Sequence, residues 1–556
     1  MANIYDKVPV KVQKKSGFDK SFQNLFTSKV GTITPILTDE LIPNSTVNLK
    51  VALTTQLPPL ASDTFMRIKQ KYAAFFVPSR IIMQGYEKWL TGQDQFNNGA
   101  NRILQPVLSF NPETDKDIYA PGSLLDYLGY KITGLGSMTE LQPVTLNAMP
   151  LLAYHKIYND WFRNSLIQTS IYNDDAVSST IFNPGYSNIV VPQNSDPKRY
   201  TFTYNSGSTV NTAGGSKFAD GVDITSLRQA NFGSDLFTSC TPKPQNGTAQ
   251  AVSFQTVNSS GSFTISALRA ANSMQQFLER NNLAGNRMVD YVKAQYGANL
   301  GDYVAQRPIL LGSGSFDVYS KGIYQTNAEM SQAETSVEIN TNNPFKSVAA
   351  RYGTAYVDGS DLVIKGFTAQ EPGYLMVVTW LSPKVTYSTG VDPMFLRYRG
   401  IGKQSNMANP ILQNVGNEPV LQSYISSDKA LLNSDDVFGY NDRYCTWKDK
   451  MDEVHGLLRD GQSLQSFALQ RTFGVGSTSH LIAPEINTNF LQIPTDYLDQ
   501  VSAVNGDISK FGYWCDSFFD YKVSMPLAKY SVPSLQDPAY EHGEDIVIDR
   551  SGKQLS

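Results

Sequence analysis

The chain has 556 residues, of which 17% are charged and 11% aromatic, and its formal net charge is −4. An average soluble domain is about 25% charged, and the cores of subunit interfaces are depleted in charge. The low charge therefore favours a protein that covers much of its surface with contacts to other subunits, and the net negative charge excludes a chain that is basic throughout.

The first 29 residues have a positive net charge and predict a basic N-terminal arm, residues 1–29. They contain six lysines and only two acidic residues: Lys7, Lys11, Lys14, Lys15, Lys20 and Lys29, and Asp6 and Asp19. Two interpretations stay open, a solvated terminus and a segment that contacts nucleic-acid phosphates. Three phenylalanines, Phe18, Phe22 and Phe26, recur at a spacing of four. They could stack on unpaired bases, but the spacing favours one face of a docked helix.

Residues 30–164 predict β structure interrupted by a helical excursion over residues 84–163. Strand patterns cover residues 30–36, 47–57 and 66–77. Residues 46–53 alternate apolar and polar side chains, which is typical of a half-buried strand. Residues 72–77 are continuously apolar and end at Pro78, which indicates a buried strand.

Residues 165–226 are polar and show no sustained helix or strand period, so they predict a surface loop insertion. Exposed loops on a rigid scaffold often carry recognition. We therefore expect this loop on the outer surface, with Tyr186, Tyr200 and Tyr204 as anchors among adaptable Ser and Asn side chains.

Residues 227–533 predict further strands and a long helix over residues 264–296, which Gly285 interrupts. Residues 361–368 and 373–385 look like paired strands joined by a turn. The last strand signals are residues 512–514 and 518–525. Residues 534–556 form a polar C-terminal tail. Strands near both ends, with large excursions between them, fit a jelly roll whose sheets combine distant parts of the chain.

No catalytic, cofactor or metal motif is found. The sequence lacks a phosphate-binding loop, a dinucleotide-binding glycine pattern and a nucleophile elbow. The four histidines lack ligand spacing, and His155 is better explained by packing and hydrogen bonding than by catalysis. Carboxylates at 174–175 and 541–545 lie in polar segments where a solvated loop is the simpler interpretation. A glycosidase pair among these carboxylates stays open on the residues alone, and no cofactor is predicted.

Three separated cysteines, Cys240, Cys445 and Cys515, exclude a disulfide scaffold and favour a reducing compartment. The N-terminus has no apolar signal core, and the longest apolar run, near residues 374–381, is far shorter than the ~20 residues of a membrane helix. The sequence predicts a soluble protein made in a cytoplasm.

Residues 155–163 combine Tyr158, Trp161 and Phe162 with Arg163, Asn159 and Asp160 in one segment, a mixture suited to binding another protein chain. This segment resembles the Asn-x-Trp-Phe-Arg helix of the major capsid proteins of Microviridae, small icosahedral single-stranded DNA phages, most nearly those of gokushoviruses and related lineages. Further blocks resemble the same family, in family order: residues 227–229, 235–239 and 242–247, then 264–269 with 278–280, 306–308 with 311–312, and 438–444.

The resemblance implies a mainly β fold, an eight-stranded jelly-roll β-barrel of viral capsid type with long inserted loops and a few helices. It also implies a virion structural protein without catalytic activity, with sixty copies in a T=1 icosahedral shell around circular single-stranded DNA. The expected partners are other copies of the chain, the packaged DNA, an internal scaffolding protein, a minor pilot protein and a host cell surface receptor. Assembly is expected in the host bacterial cytoplasm.

On this basis we assign three sets of residues. Lys7, Lys11, Lys14, Lys15 and Lys20 are expected to face DNA; Tyr158, Trp161, Phe162 and Arg163 to pack at a subunit contact; and Tyr186, Tyr200 and Tyr204 to lie on the outer surface. One departure concerns the gokushovirus protrusion at the three-fold axis, which follows the 242–247 block in that family. Here only residues 248–262 separate that block from the helix, and the extra length lies in 165–226.

The alternative from a different class is a β-sandwich carbohydrate-binding protein or glycoside hydrolase. It would explain the Tyr, Trp and Asn content, since aromatic platforms bind sugars and paired carboxylates cleave glycosidic bonds. It predicts a monomer with a concave carboxylate-lined pocket and an export signal.

Overall fold

A computed structural model describes most of the chain. The described residues are 15–57, 65, 67–83, 86–91, 106–110, 119–130, 144–171, 186–190, 201–206, 209–211, 225–247, 265–285, 287–318, 323–325, 351–353, 358–387, 389–397, 409–412, 416–427, 432, 435–468, 470, 471, 473, 484–498 and 512–527.

Within these ranges the strands are β1 (Ser16–Asp19), β2 (Phe22–Ser28), β3 (Thr34–Leu41), β4 (Thr46–Gln56), β5 (Ile68–Pro78), β6 (Val107–Phe110), β7 (Val144–Asn147), β8 (Tyr186–Val190), β9 (Thr201–Ser206), β10 (Thr209–Asn211), β11 (Ile309–Val318), β12 (Ile323–Gln325), β13 (Arg351–Gly353), β14 (Asp358–Thr368), β15 (Gly373–Pro383), β16 (Asn417–Leu421), β17 (Val437–Asp442) and β18 (Tyr513–Met525).

The α-helices in the same ranges are α1 (Ser79–Ile82), α2 (Tyr86–Thr91), α3 (Leu124–Leu128), α4 (Met149–Ile157), α5 (Ile265–Ala284), α6 (Met288–Tyr296), α7 (Pro393–Leu396), α8 (Cys445–Lys448) and α9 (Thr488–Leu491). Tyr158–Phe162 is a π-helix, and four single turns are 3₁₀-helices: Pro410–Leu412, Gln422–Tyr424, Gly456–Leu458 and Gln465–Phe467. The architecture is mainly β.

Two antiparallel sheets form the body of the protein. In the first sheet, β1 and β2 lie end to end along one edge of β18, and β4 and β14 follow on the other side. In the second sheet the order is β11-β5-β15-β3. Each sheet therefore has four strand positions, and the first contains strands from both ends of the chain.

The alternation of β4 decides which side of the first sheet is buried. Val47, Leu49, Val51 and Leu53 are at most 2% exposed, while the intervening residues are half-buried or exposed. The predicted half-buried strand at residues 46–53 is confirmed. Residues 72–77 in β5 are buried on both faces, as their continuous apolar run predicts.

The core lies between the two sheets. The ring of Phe76 in β5 lies 5.2 Å from that of Phe367 in β14, which joins the second sheet to the first. Gln70 of β5 is fully buried, and its side chain donates to Thr379 Oγ1 at 3.1 Å and accepts a hydrogen bond from Thr55 of β4. Because a buried amide is costly without partners, this pairing fixes the register between the sheets.

The two outer faces of this body differ. The outer face of the second sheet is covered by the excursion, since α4 packs against β5 and β15. On the outer face of the first sheet, by contrast, Leu25 and Phe518 are 71% and 53% exposed. Within the described residues, one face of the body is thus closed by the chain itself, and the other, which we call the open face, carries exposed side chains.

The prediction of a basic arm over residues 1–29 is wrong for its second half, because residues 16–28 are the edge strands β1 and β2. The docked-helix interpretation of the three phenylalanines is wrong as well. A spacing of four also keeps side chains on one side of a strand. Phe22 stacks on Phe519 at 4.6 Å, and Phe26 is 9% exposed beside Tyr513.

Two further expectations about strands are corrected. The segments at 361–368 and 373–385 do contain strands, β14 and β15, but these do not pair with each other. β14 joins β4 in the first sheet and β15 joins β5 and β3 in the second, so the turn between them crosses from sheet to sheet. The two strand signals at 512–514 and 518–525 are one continuous strand, β18.

The segment at 165–226 is not free of strands. It contains β8, β9 and β10, which extend β6 and β7 of the excursion into a five-stranded sheet of order β10-β9-β8-β6-β7. Thr, Tyr, Phe, Ile and Val dominate these short strands, and these residue types favour extended backbone. Their signal is lost when the whole polar segment is considered together.

The helical region predicted at 264–296 is confirmed and is broken where expected. α5 ends before Gly285, whose φ of +116° is disfavoured for other residues, and α6 begins three residues later. Thr264, the expected cap, lies outside the described residues.

Two neighbouring residues of β2 test whether this part of the chain is a sheet strand. We expect Phe26→Ala to lower the free energy of unfolding by about 3 kcal/mol, because it opens a cavity beneath the sheet. Leu25→Ala on the opposite side of the same strand is the matched control and should change it by less than ~0.5 kcal/mol. Equal effects in chemical denaturation would show that the segment is not held in the sheet.

Candidate functional site

The segment at 155–163 begins inside a fully buried helix. α4 is at most 1% exposed at Met149, Leu151, Leu152, Ala153, Tyr154, His155 and Ile157. It passes directly into the π-helix Tyr158–Phe162, where the amide of Arg163 donates to the carbonyl of Tyr158 at 3.0 Å. Such i→i+5 turns are uncommon and often occur at functional positions.

Trp161 and Phe162 pack on the covered face of the second sheet. Phe75 of β5 lies 5.6 Å from Trp161 and 6.3 Å from Phe162 between ring centroids, and Trp380 lies 4.9 Å from Phe162. The Trp161 indole N–H donates to the carbonyl of Pro308 at 2.9 Å, and Arg307 lies over the ring at 4.3 Å. These two rings therefore attach the excursion to the body of their own chain.

Arg287, at the start of α6, satisfies the carbonyls of the π-turn. Its Nη2 donates to the carbonyl oxygens of Asn159 and Arg163, both at 2.7 Å. Burial lowers the pKa of this guanidinium, while the nearby Asp160 and Asp290 carboxylates act in the opposite direction. Arginine is suited to this position because its planar donors contact two acceptors while it stays charged.

Tyr154 and Tyr158 connect α4 to the segment around Arg228. The Tyr154 hydroxyl donates to the carbonyl of Ile33 at 2.8 Å and accepts from the amide of Arg228 at 2.9 Å. Burial raises the pKa of both tyrosines above the ordinary value, so they stay protonated at neutral pH. The Arg228 side chain lies 5.9 Å from the Tyr158 ring and donates to His155 Nδ1 at 3.5 Å.

His155 is 0% exposed and contacts the Tyr154 ring edge-on at 5.3 Å. Packing and hydrogen bonding account for this histidine, as predicted. The polar side chains of the segment bind backbone groups and other side chains of the same chain, so the arrangement fixes positions and presents no nucleophile–base pair. The candidate carboxylates at 174–175 and 541–545 lie outside the described residues.

The four residues assigned to a subunit contact all have partners within the chain. Tyr158 is buried, Trp161 and Phe162 are half-buried, and Arg163 donates to the carbonyl of Gln168 at 2.8 Å. Their contact with a second subunit stays a prediction.

Of the five lysines assigned to DNA, Lys7, Lys11 and Lys14 lie outside the described residues. Lys15 is exposed and donates to Thr46 Oγ1 at 3.2 Å. Lys20 forms an ion pair with Asp39 at 2.5 Å. Lys15 would give up one exposed hydrogen bond to reach a phosphate, whereas Lys20 would have to share its charge with Asp39.

The structure brings two of the three assigned tyrosines together. Tyr186 of β8 and Tyr204 of β9 are directly opposite each other in the antiparallel pair. Tyr200 lies just before β9 and outside the described residues.

Sequence reasoning missed Arg287 and Arg228 as supports of the segment. Arg287 lies 128 residues from Asn159 in the sequence, and no local sequence pattern predicts a contact between residues so far apart. Arg228, Arg307 and Pro308 lie in family blocks, but the blocks do not predict their contacts with the 155–163 segment.

The described residues contain neither a metal-ligand group nor a membrane-spanning helix. No group of three His, Cys, Asp or Glu side chains in this part of the chain is placed to hold a metal ion. No described helix is both long and apolar enough to span a membrane. All three cysteines are buried and unpaired with one another.

Comparison with known proteins decides the family. Residues 6–259 and 253–535 match Phage_F, the family described as capsid protein (F protein). The chain belongs to this capsid protein family. It is 25% identical to capsid protein VP1 of Chlamydia phage 1, covering 96% of this chain and 98% of that one. It is likewise 25% identical to capsid protein VP1 of Bdellovibrio phage phiMH2K, over 95% and 97% of the two chains, and 23% identical to that of Spiroplasma virus 4, over 91% and 93%.

The resemblance to Microviridae capsid proteins is thereby confirmed over nearly the whole chain. The relatives are structural proteins of virions, so this capsid protein is not an enzyme. The carbohydrate-binding and glycosidase alternative is not favoured.

The Trp161 contacts predict how much the π-turn contributes to the free energy of unfolding. Because Trp161 is half-buried and also loses a hydrogen bond, Trp161→Ala should lower the free energy of unfolding by about 3 kcal/mol. Trp161→Phe keeps a ring against Phe75 and removes only the bond to Pro308, so it should cost about 1 kcal/mol. Wild-type melting temperature and particle yield in the alanine variant would contradict this assignment.

Proposed function

We propose that this chain is the major capsid protein of a small single-stranded DNA phage and that sixty copies close into a T=1 icosahedral shell around a circular genome. The family match over nearly the whole length carries the proposal. A capsid protein of this family self-assembles into a shell and resides in the virion. To this we add three proposals: the T=1 geometry of the shell, single-stranded DNA as its content, and the assignment of inner and outer faces to the subunit.

The strand order supports a jelly roll as the building unit. Counting β1 and β2 as one position, eight positions fill two facing four-stranded sheets. The chain alternates between sheets from β2 to β3 to β4 to β5, and again from β11 to β14 to β15 to β18. This alternation, with strands from both ends side by side, is the arrangement expected of a double-sheet jelly roll.

The open face of the first sheet is the surface that we place toward the genome. Phe518 is 53% exposed and the Trp514 side chain is half-buried on this face. Lys50 lies opposite Asp520, which also forms an ion pair with Lys522 at 3.0 Å. Asp516 lies further along β18, so these four charges of the strand surface sum to zero. Aromatic stacking on unpaired bases is sequence-tolerant and suits such a surface. The lysines of the N-terminus, Lys7, Lys11, Lys14, Lys15 and Lys20, would then supply the phosphate contacts.

β7, at one edge of the five-stranded sheet that carries Tyr186 and Tyr204, lies on the other side of the body. β7 runs directly into α4, which covers the second sheet, and Asn147 of β7 donates to the Tyr374 hydroxyl of β15 at 3.3 Å. With the open face inward, this excursion faces outward. We propose that it contacts the host cell surface, with Tyr186, Tyr200 and Tyr204 as anchors.

The scaffolding protein, the pilot protein and assembly in the host cytoplasm complete the proposal. All three rest on the resemblance to the family. No described residue is assigned to a contact with the scaffolding protein or the pilot protein. The subunit contact at Tyr158, Trp161, Phe162 and Arg163 remains proposed on the same basis, with those side chains already engaged within their own subunit.

Assembly is tested on the purified full-length chain. We expect pentamers or closed round particles in sedimentation and negative-stain electron microscopy, because the family is one of self-assembling shells. A strictly monomeric chain that hydrolyses a glycan would overturn the proposal.

The DNA contact is tested by exchanging Lys7, Lys11, Lys14, Lys15 and Lys20 for Gln together. Genome retention should fall more than shell yield, because phosphate contacts are electrostatic and weaken as salt rises. The control exchanges the exposed Lys69, Lys243 and Lys384 for Gln and should retain DNA normally. Ready proteolysis of residues 1–14 in intact, DNA-filled particles would show that these lysines lie outside.

A further inference from the structure

The outer edge of β2 is unpaired within the described residues. The Lys20 amide donates to the carbonyl of Tyr521 at 2.8 Å, so in this antiparallel ladder the even-numbered residues of the segment bond to β18. The odd-numbered residues direct their backbone groups away from β18, and the Tyr127 hydroxyl accordingly donates to the carbonyl of Thr27. Among the described residues, the outward backbone groups of Leu25 have no hydrogen-bond partner.

A groove of about 1070 Å³ runs beside this edge. Its walls are β2, β3 and α3, and its apolar lining includes Ile36, Leu37 and Leu128. The groove is as large as the largest small-molecule sites, which occupy about 300–1,000 Å³, but it follows an unpaired strand. Such a setting suits an extended polypeptide, which adds a strand through backbone hydrogen bonds while its alternate side chains enter the groove. Open strand edges are normally covered or blocked in native proteins.

The groove carries a net negative charge. Its charged lining consists of Asp126 and Asp516 against the single cation Lys29. Asp516 accepts a hydrogen bond from the Gln23 side chain at 2.8 Å, and Asp126 accepts one from the amide of Gly122 at 3.0 Å. Neither carboxylate forms an ion pair within the described residues. An extended segment that carries both apolar and cationic side chains is therefore complementary to this groove.

The N-terminal residues of this chain have such a sequence. Valine alternates with other residue types over Val8, Pro9, Val10, Lys11, Val12 and Gln13. Residues 7–14 contain three lysines and no acidic residue. A period of two is typical of a strand with one buried side, and proline is tolerated in an edge strand. Residues 1–14 lie outside the described residues, so this pattern is taken from the sequence alone.

This segment cannot reach the groove of its own subunit. β1 and β2 follow one another along β18 without a register shift, from Ser16 to Ser28. At about 3.3 Å per residue, Lys15 lies about 30 Å from Leu25. Val8 is seven residues from Lys15, and a fully extended chain of that length spans at most about 25 Å. Residues 8–14 can therefore lie beside Leu25 only in another molecule.

We propose that residues 8–13 of one subunit add a strand to the free edge of β2 in a second copy of this chain. The three valines enter the groove, and Lys7 and Lys11, on the opposite side of the added strand, lie on the open face beside Leu25. The inference rests on the proposed function, in which identical subunits surround one another. It adds where the N-terminal lysines are held.

The contact is tested by cross-linking assembled, full-length chains that carry Leu25→Cys together with Lys11→Cys. Cys240, Cys445 and Cys515 are buried, so the two introduced thiols are the accessible ones. Mild oxidation should give covalent dimers and larger multimers on a non-reducing gel, because each chain donates its N-terminus to one neighbour and accepts that of another. Reduction should return these species to monomers.

Two further variants and a control complete the cross-linking experiment. Pro9→Cys or Gln13→Cys in place of Lys11→Cys covers registers shifted by two residues in either direction. Met394→Cys in place of Leu25→Cys is the control; it is 56% exposed on α7, and these chains should stay monomeric on the gel. Absence of multimers at all three N-terminal positions would overturn the inference, and so would a cross-link within a single chain.

A charge-matched pair of variants tests which side of the segment enters the groove. Val10→Asp with Val12→Asp should abolish shells without changing the melting temperature of the unassembled subunit. Pro9→Asp with Gln13→Asp adds the same two charges on the opposite side and should leave shells intact. Normal shells in the valine variant would overturn the inference, and the β2 edge would then belong to a different protein. Failure of the unmodified chain to form any oligomer would instead contradict the proposed function.

Discussion

The fold depends on the pairing of β18 with strands from the first part of the chain. β18 forms hydrogen bonds with β1 and β2 on one edge and with β4 on the other, so the first sheet cannot be completed without residues 513–525. The stacked rings of Phe22 and Phe519 lie at this junction. Such distant pairing carries a large loop-closure cost and makes folding slow. It also leaves everything between β5 and β11 free to become an insertion.

The insertions are attached to the body by a few specific contacts. The 155–163 segment is central to them, because Trp161 and Phe162 contact the second sheet while Arg287 of α6 holds the π-turn carbonyls. The excursion, α6 and β11 are therefore positioned by one group of side chains. A shell subunit requires this rigidity, since the orientation of each edge determines whether contacts between copies close.

Local patterns predicted the elements well, and distant partners poorly. A structure that depends on a few neighbouring residues could be predicted from them. Examples are the half-buried strand at 46–53, the buried strand at 72–77 and the break after α5 at Gly285. The partners of β14 and β15 could not be predicted, because a turn between two strands does not reveal whether it is a hairpin or a crossing between sheets. The edge strands β1 and β2 were missed because the lysines that suggested an arm include Lys15, Lys20 and Lys29, which flank these strands at a sheet edge where charged side chains are tolerated. The family blocks supplied the function, and no physical pattern in the sequence alone would have done so.

The central claim is that the chain is the repeating unit of a closed sixty-subunit shell. The most direct measurement is the mass of purified empty particles by charge-detection mass spectrometry. Sixty chains of 61.5 kDa predict a single species of about 3.7 MDa. A broad distribution of masses, as from open filaments, or a defined mass corresponding to a different number of copies would contradict the account.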